Sequence, residues 1–141
     1  METADRFVHR KFHLWSGWIF IMMKVWIAFW YVNHLCACGW IFIHRYLERN
    51  VEFTWATVDG VSTYDAAQGQ HDVFHNRSLI YSRAFYFVIV VMSTCGYGDI
   101  RPYTNIETIF AQLVTLAGAL GLASMVGTFL FYFEYVDVFG S

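Results

Sequence analysis

Toward the C-terminal third of the chain, Ser93-Thr94-Cys95-Gly96-Tyr97-Gly98-Asp99-Ile100 sets two glycines around a tyrosine, with an aspartate directly after. No nucleophile–base pair and no phosphate-binding loop stands out here or elsewhere in the chain. What this stretch offers is backbone chemistry. Gly96 and Gly98 admit dihedral angles closed to other residues. If successive residues alternate between left- and right-handed conformations, their carbonyls point the same way. Such a row is a ladder of partial negative charges. Repeated around a symmetry axis, it replaces the water shell of a cation.

Other residues with ligand chemistry carry weaker patterns. His34, Cys36 and Cys38 fall within one apolar run, with His34 and Cys38 one helical turn apart. On a lipid-embedded helix they read as packing and hydrogen-bonding residues rather than as a metal site. His71 and His75 share the i, i+4 spacing but sit in a polar stretch, where that spacing promises no common face. A pH-sensing or divalent-binding loop is the alternative there. Asn76-Arg77-Ser78 is a glycosylation sequon.

The elements that must position the glycine stretch follow from composition. Of 141 residues, 57% are hydrophobic, 21% aromatic and only 14% charged. Soluble domains carry about a quarter charged residues, so the surrounding solvent is a membrane. A formal net charge of −2 gives no basic field for nucleic acid. The three cysteines lie inside apolar runs, which argues against a disulfide framework. The mixed-charge start, "METADRFVHRKFH", does not read as a cleavable signal peptide.

Three apolar segments stand out. Leu14–Ile43 holds 30 residues with Lys24 as its only charge, more than the ~20 that one perpendicular span needs. Lys24 divides it: residues 1–22 form an N-terminal, interfacial segment and residues 23–44 the first span, unless a longer tilted helix lets Lys24 snorkel. Residues 45–78 form a polar loop. Ala84–Gly98, 15 uncharged residues, is too short to cross. A short helix over 79–93 and a loop over 94–99 therefore make a re-entrant element, which must be buried by protein or lined by water. Thr108–Phe133, 26 residues without a charge, is the clearest span. The fold expected is an all-α membrane protein: two transmembrane helices with a re-entrant helix and loop between them, forming a single domain over 1–141.

Thr94-Cys95-Gly96-Tyr97-Gly98-Asp99 resembles the selectivity filter of potassium channels, the filter that serves as the general example of carbonyl coordination. His34–Trp40, "HLCACGW", resembles the outer-helix pattern His-x-x-Ala-Cys-x-Trp of the ether-à-go-go and cyclic-nucleotide-gated branch. Thr104–Phe110, "TNIETIF", before a helix rich in small residues, resembles the same branch, as does a lysine near the outer-helix start. Cys95 departs from the usual valine, which alters packing behind the filter but not the carbonyl. Neither arginine-spaced sensor helices nor a nucleotide-binding domain is read, so that branch's gating inputs do not carry over. The sequence fits an excised pore, a minimal channel or a pore-like subunit in another role.

The resemblance implies roles. Carbonyls of Thr94, Cys95, Gly96 and Tyr97, with Gly98 completing the filter, would coordinate K⁺, and the Thr94 hydroxyl would add an innermost site. Tyr97 and Asp99 would brace the filter, and the short helix would aim its partly negative end at the pore. One chain supplies a quarter of such a filter, so three further copies are the implied partners, in a fourfold homotetramer. Lipid surrounds it, no nucleic acid or organic cofactor is implied, and sensor or complex subunits come from other chains if at all. Gly118, 20 residues after Gly98, and Gly121 are candidate gating hinges. Ala119, Ala123 and Gly127, four apart, suit close helix packing. Lysine and arginine divide nearly evenly between the two sides, so orientation rests on the filter rather than on charge. The reading is a non-enzymatic K⁺ channel pore of the plasma membrane or an organellar membrane, the mitochondrial one included. Its alternative is a non-conducting subunit with a structural role in a larger membrane complex.

Overall fold

The computed structural model describes residues 2–71 and 77–140. Its elements run α1 (Glu2–Phe42), a π-helical turn (Ile43–Leu47), α2 (Trp55–Val58), β1 (Tyr64–Asp65), β2 (Gln70–His71), α3 (Arg77–Met92) and α4 (Asn105–Gly140). Two segments, Gly17–Leu47 and Asn105–Glu134, are long and apolar enough to cross a membrane. The chain is mostly helical, as its composition predicts. The polar loop adds a short antiparallel hairpin that pairs Tyr64 with His71 and Asp65 with Gln70.

Several element ends differ from those read in the sequence. α1 passes Lys24 without a break, where a boundary between 22 and 23 is expected. No proline interrupts the run, and the Lys24 ammonium lies 4.5 Å from the centre of the Phe20 ring one turn back. A charge that finds an aromatic face does not have to end a helix. α3 begins at Arg77 rather than at 79 and ends at Met92. α4 begins at Asn105 rather than at 108 because Thr104 and Glu107 form a capping box. The Glu107 N–H donates to Thr104 Oγ1 at 3.1 Å, and the Thr104 N–H donates to Glu107 Oε2 at 3.4 Å. The helix also continues past Phe133 to Gly140, since a charge at Glu134 ends an apolar run but not helical hydrogen bonding.

The contacts form two units, Met1–Tyr31 with Ala123–Ser141, and Val32–Leu122. In the first, Trp18 stacks on Tyr132 with centroids 4.5 Å apart.

The second unit is organised around Trp40, which is 0% exposed. Its indole stacks on Phe87 of α3 at 4.5 Å, and lies 5.7 Å from both Trp55 of α2 and Phe110 of α4. One side chain of α1 thereby meets three other elements. Gly39 makes room for this, because a Cβ there would stand 3.0 Å from the Phe110 ring. Ile43, Ala84, Val88, Met92 and Val114 are buried in the same unit. In lipid, such packing rather than exclusion of water holds helices together.

Candidate functional site

The end of α3 turns directly into the glycine stretch. The Val90 carbonyl accepts from the N–H groups of Cys95 and Gly96, both at 3.2 Å, and Val91 O accepts from Thr94 N at 3.0 Å. The first amides of the stretch thus satisfy carbonyls that a helix C-terminus leaves open. Positive φ then recurs at every second residue: Thr94 at 60°, Gly96 at 57° and Gly98 at 75°. Cys95 and Tyr97 between them do not share it. This is the alternation of handedness that aligns carbonyls. No Cβ clash demands glycine at 96 or 98, so backbone conformation is the reason for glycine there. For Thr94, a β-branched residue, such a φ is strained, and its amide bond to Val91 holds it.

Among the described residues, no backbone N–H donates to the carbonyls of Thr94, Cys95, Gly96 or Tyr97. Residues 94–99 are all exposed in the single chain, with Tyr97 at 73%. Ile100, 5% exposed, anchors the far end of the loop. These backbone oxygens therefore lie in an exposed loop without amide partners among the described residues.

Asp99 is held by groups that the sequence reading missed. Burial pushes its carboxyl upward, but a hydrogen bond from the Tyr86 hydroxyl, backbone N–H donors and the nearby Arg83 charge pull it below the ordinary carboxylate value. Arg83 in turn forks onto Asp59 at the end of α2: Nε donates to Oδ2 at 2.7 Å and Nη2 donates to Oδ1. Thirteen residues separate Tyr86 from Asp99, and no spacing rule links them. The charge at Arg83, directly before an uncharged run, is the one available signal.

A buried acidic pair, Glu48 and Glu107, ties the loop between the spans to the start of α4. Glu107 Oε1 accepts from Trp55 N at 3.1 Å, and Oε2 accepts from Tyr103 N at 2.8 Å. Glu48 accepts from the Thr104 hydroxyl through Oε1. Burial pushes the Glu48 carboxyl up to about 7; the Thr104 hydroxyl opposes this and Glu107 reinforces it. His44, in the π-helical turn, shares a hydrogen bond of 2.9 Å between Nδ1 and Thr54 Oγ1, and its ring lies 4.4 Å from that of His71. The Thr-x-x-Glu pattern at 104–107 announces the α4 cap in the sequence; the reach of Glu107 to Trp55 does not show there.

The remaining candidates are placed as follows. Gly118 is buried against the end of α3, and a Cβ there would lie 2.5 Å from Met92 Cα. Gly121, three residues on, is partly covered. His34 Nδ1 pairs with the Tyr81 hydroxyl at 2.8 Å and Nε2 with Cys38 Sγ at 3.7 Å, a hydrogen-bonded chain. Cys36, Cys38 and Cys95 are free thiols. Among the described residues, no three His, Cys, Asp or Glu side chains gather as a metal site. His75 and Asn76 lie outside the described residues.

Residues 9–135 match the family described as ion channel. The Mus musculus voltage-gated inwardly rectifying potassium channel KCNH7 is 30% identical over 116 residues, covering 76% of this chain and 9% of that protein. The Rattus norvegicus voltage-gated delayed rectifier potassium channel KCNH1 is 25% identical over 113 residues, 72% of this chain and 12% of that protein. Oryctolagus cuniculus potassium voltage-gated channel subfamily A member 5 is 40% identical over 52 residues, 37% of this chain and 9% of that protein. The chain spans about a tenth of the length of these relatives. The first two agree with the resemblance to the ether-à-go-go branch. Matched over nearly its whole length and carrying two helices apolar enough to cross a bilayer, the chain is an integral membrane protein that belongs to the ion channel family.

Proposed function

We propose that four copies of this chain close a K⁺-selective pore, with the carbonyls of Thr94, Cys95, Gly96 and Tyr97 and the Thr94 hydroxyl replacing the hydration shell of the ion. The observation that carries this reading is the positive φ at 94, 96 and 98 alone within the loop, joined to carbonyls that no amide among the described residues engages. Charge is not required of any side chain, because carbonyl dipoles from four directions supply the field. Exposure of the loop and of Tyr97 in the single chain supports a site that neighbouring copies cover. Fourfold closure puts every loop in an equivalent place.

Asp99 braces the mouth through Tyr86 and adds negative charge where ions arrive. The potassium channels to which the chain is similar support K⁺ as the permeant ion and the plasma membrane as its location. Gating remains a matter of α4: Gly121 is the better hinge candidate, since Gly118 already has a packing reason to be glycine. K⁺ flux into liposomes, with Na⁺ as comparison, tests the reading on wild type and Gly96→Ala. Strong K⁺ preference that the substitution abolishes supports it; equal fluxes of the two ions sink it.

A further inference from the structure

Cys38 is an exposed thiol with a base beside it. Its Sγ lies 3.7 Å from His34 Nε2, one turn back on α1. The other ring nitrogen, Nδ1, pairs with the Tyr81 hydroxyl of α3 at 2.8 Å. Tyr81 is itself stacked on Phe85, with centroids 5.7 Å apart. A thiol, an imidazole within reach and a third group that orients the imidazole are the parts of an activated nucleophile. The spacing of His34 and Cys38 shows in the sequence, but the orienting group comes from another helix, 47 residues away. Cys95 is exposed too, yet its Sγ donates to the Ser93 carbonyl at 3.9 Å, an oxygen that accepts a hydrogen bond but takes no proton. The surroundings of Cys38 name the reactant. Tyr31, Leu35, Cys38 and Phe42 follow the i, i+4, i+7, i+11 rhythm of one helix face, and all four are exposed. That face lies within Gly17–Leu47, which is apolar enough to cross a membrane, so it meets acyl chains rather than water. Charged electrophiles do not reach it. The α,β-unsaturated aldehydes left by oxidised acyl chains arise in that phase, and a thiol adds to them directly.

We propose that Cys38 is a site of covalent modification by lipid-derived α,β-unsaturated aldehydes, with His34 as the base and Tyr81 as the group that positions it. As Sγ bonds to the β-carbon, the thiol proton passes to His34 Nε2. The electrons of the carbon–carbon π bond move toward the carbonyl, giving an enolate. The imidazolium donates through Nδ1 to the Tyr81 oxygen while it lasts, and Nε2 then returns the proton to the α-carbon. The sum is one thioether with the aldehyde kept. Nothing leaves, and the addition needs no oxidant or reductant. This inference rests on the membrane location of α1 and not on K⁺ selectivity, so the two stand or fall separately.

The test places the full chain in liposomes and adds an alkyne-tagged, long-chain 2-alkenal at low dose. Borohydride then fixes the adducts, and peptide mass spectrometry follows each cysteine over time. Cys38 should be modified faster than Cys95. His34→Gln keeps a hydrogen-bonding side chain but removes the base. The rate at Cys38 should then fall roughly tenfold, less than removal of a general base costs in a closed enzyme site, while Cys95 keeps its rate. Tyr81→Phe should give a smaller, several-fold loss at Cys38. A lipid-soluble carbene photoprobe, which needs no nucleophile, should label the segment around Cys38 equally in all three proteins. This separates loss of the base from loss of access. An unchanged Cys38 rate in His34→Gln, a wild-type rate at Cys38 no higher than at Cys95, or photoprobe labelling that falls in step with the adduct overturns the proposal and leaves His34 a packing residue between α1 and α3.

Discussion

Gly118 of α4 lies against the backbone of Met92, the last residue of α3, so closely that a methyl group at 118 would meet Met92 Cα at 2.5 Å and its carbonyl oxygen at 2.9 Å. Backbone cannot rotate away as a side chain can. Gly118→Ala should therefore destabilise the fold by about 1–3 kcal/mol through overpacking, read as a lower melting temperature, and should disturb the loop that starts two residues after Met92. Gly121→Ala should leave the melting temperature near wild type while changing open probability in single-channel records. A thermal loss at 121 equal to that at 118 would contradict the division of roles between the two glycines.

Glu48 makes stability depend on pH. Its folded carboxyl titrates at about 7, above the ordinary 4.5. The folded state therefore holds a proton that the unfolded chain gives up, and stability falls as pH rises from the lower value to the upper one, then levels off. The loss is on the order of 1–3 kcal/mol. Glu48→Gln, neutral throughout, should remove this component, and the difference between the two melting curves across that window is the measurement. Parallel curves would show that Glu48 carries no proton near neutrality.

Trp40→Ala should cost about 3–5 kcal/mol, because one deletion opens a cavity among three ring systems. Trp40→Phe should cost less and preserve assembly. Urea or thermal unfolding in detergent gives both values.

At Gly98 the constraint is handedness, not space: φ is 75° and an added Cβ meets nothing within 4 Å among the described residues. L-alanine there should cost roughly 1–2 kcal/mol in backbone strain and weaken ion selectivity. D-alanine, introduced by semisynthesis, should retain selectivity. Equal loss with both enantiomers would place the constraint in side-chain volume contributed by neighbouring copies.

The parts legible from the sequence are those written locally. Alternation of glycines announced the unusual backbone at 96 and 98, and uncharged runs announced the two apolar helices. Positive φ at Thr94 was not legible, since threonine usually avoids it. Helix ends went astray where charge stood in for structure: Lys24 and Glu134 end apolar runs without ending helices. The long-range ties of the loop between the spans are invisible for a different reason. Asp59 with Arg83, Glu107 with Trp55 and Glu48 with Thr104 lie 24, 52 and 56 residues apart, respectively. Nothing in a linear pattern pairs one acidic side chain with a distant partner.

The bond from Trp55 N to Glu107 sets an order on biosynthesis. When α2 emerges, the carboxylate that caps its first amide is 52 residues away and not yet made. The same holds for Glu48, whose threonine partner follows 56 residues later. The loop between the spans therefore cannot lock while α1 and α3 alone have entered the membrane. It closes when the first turn of α4 arrives, so a chain truncated before Thr104 should insert but keep a protease-sensitive loop.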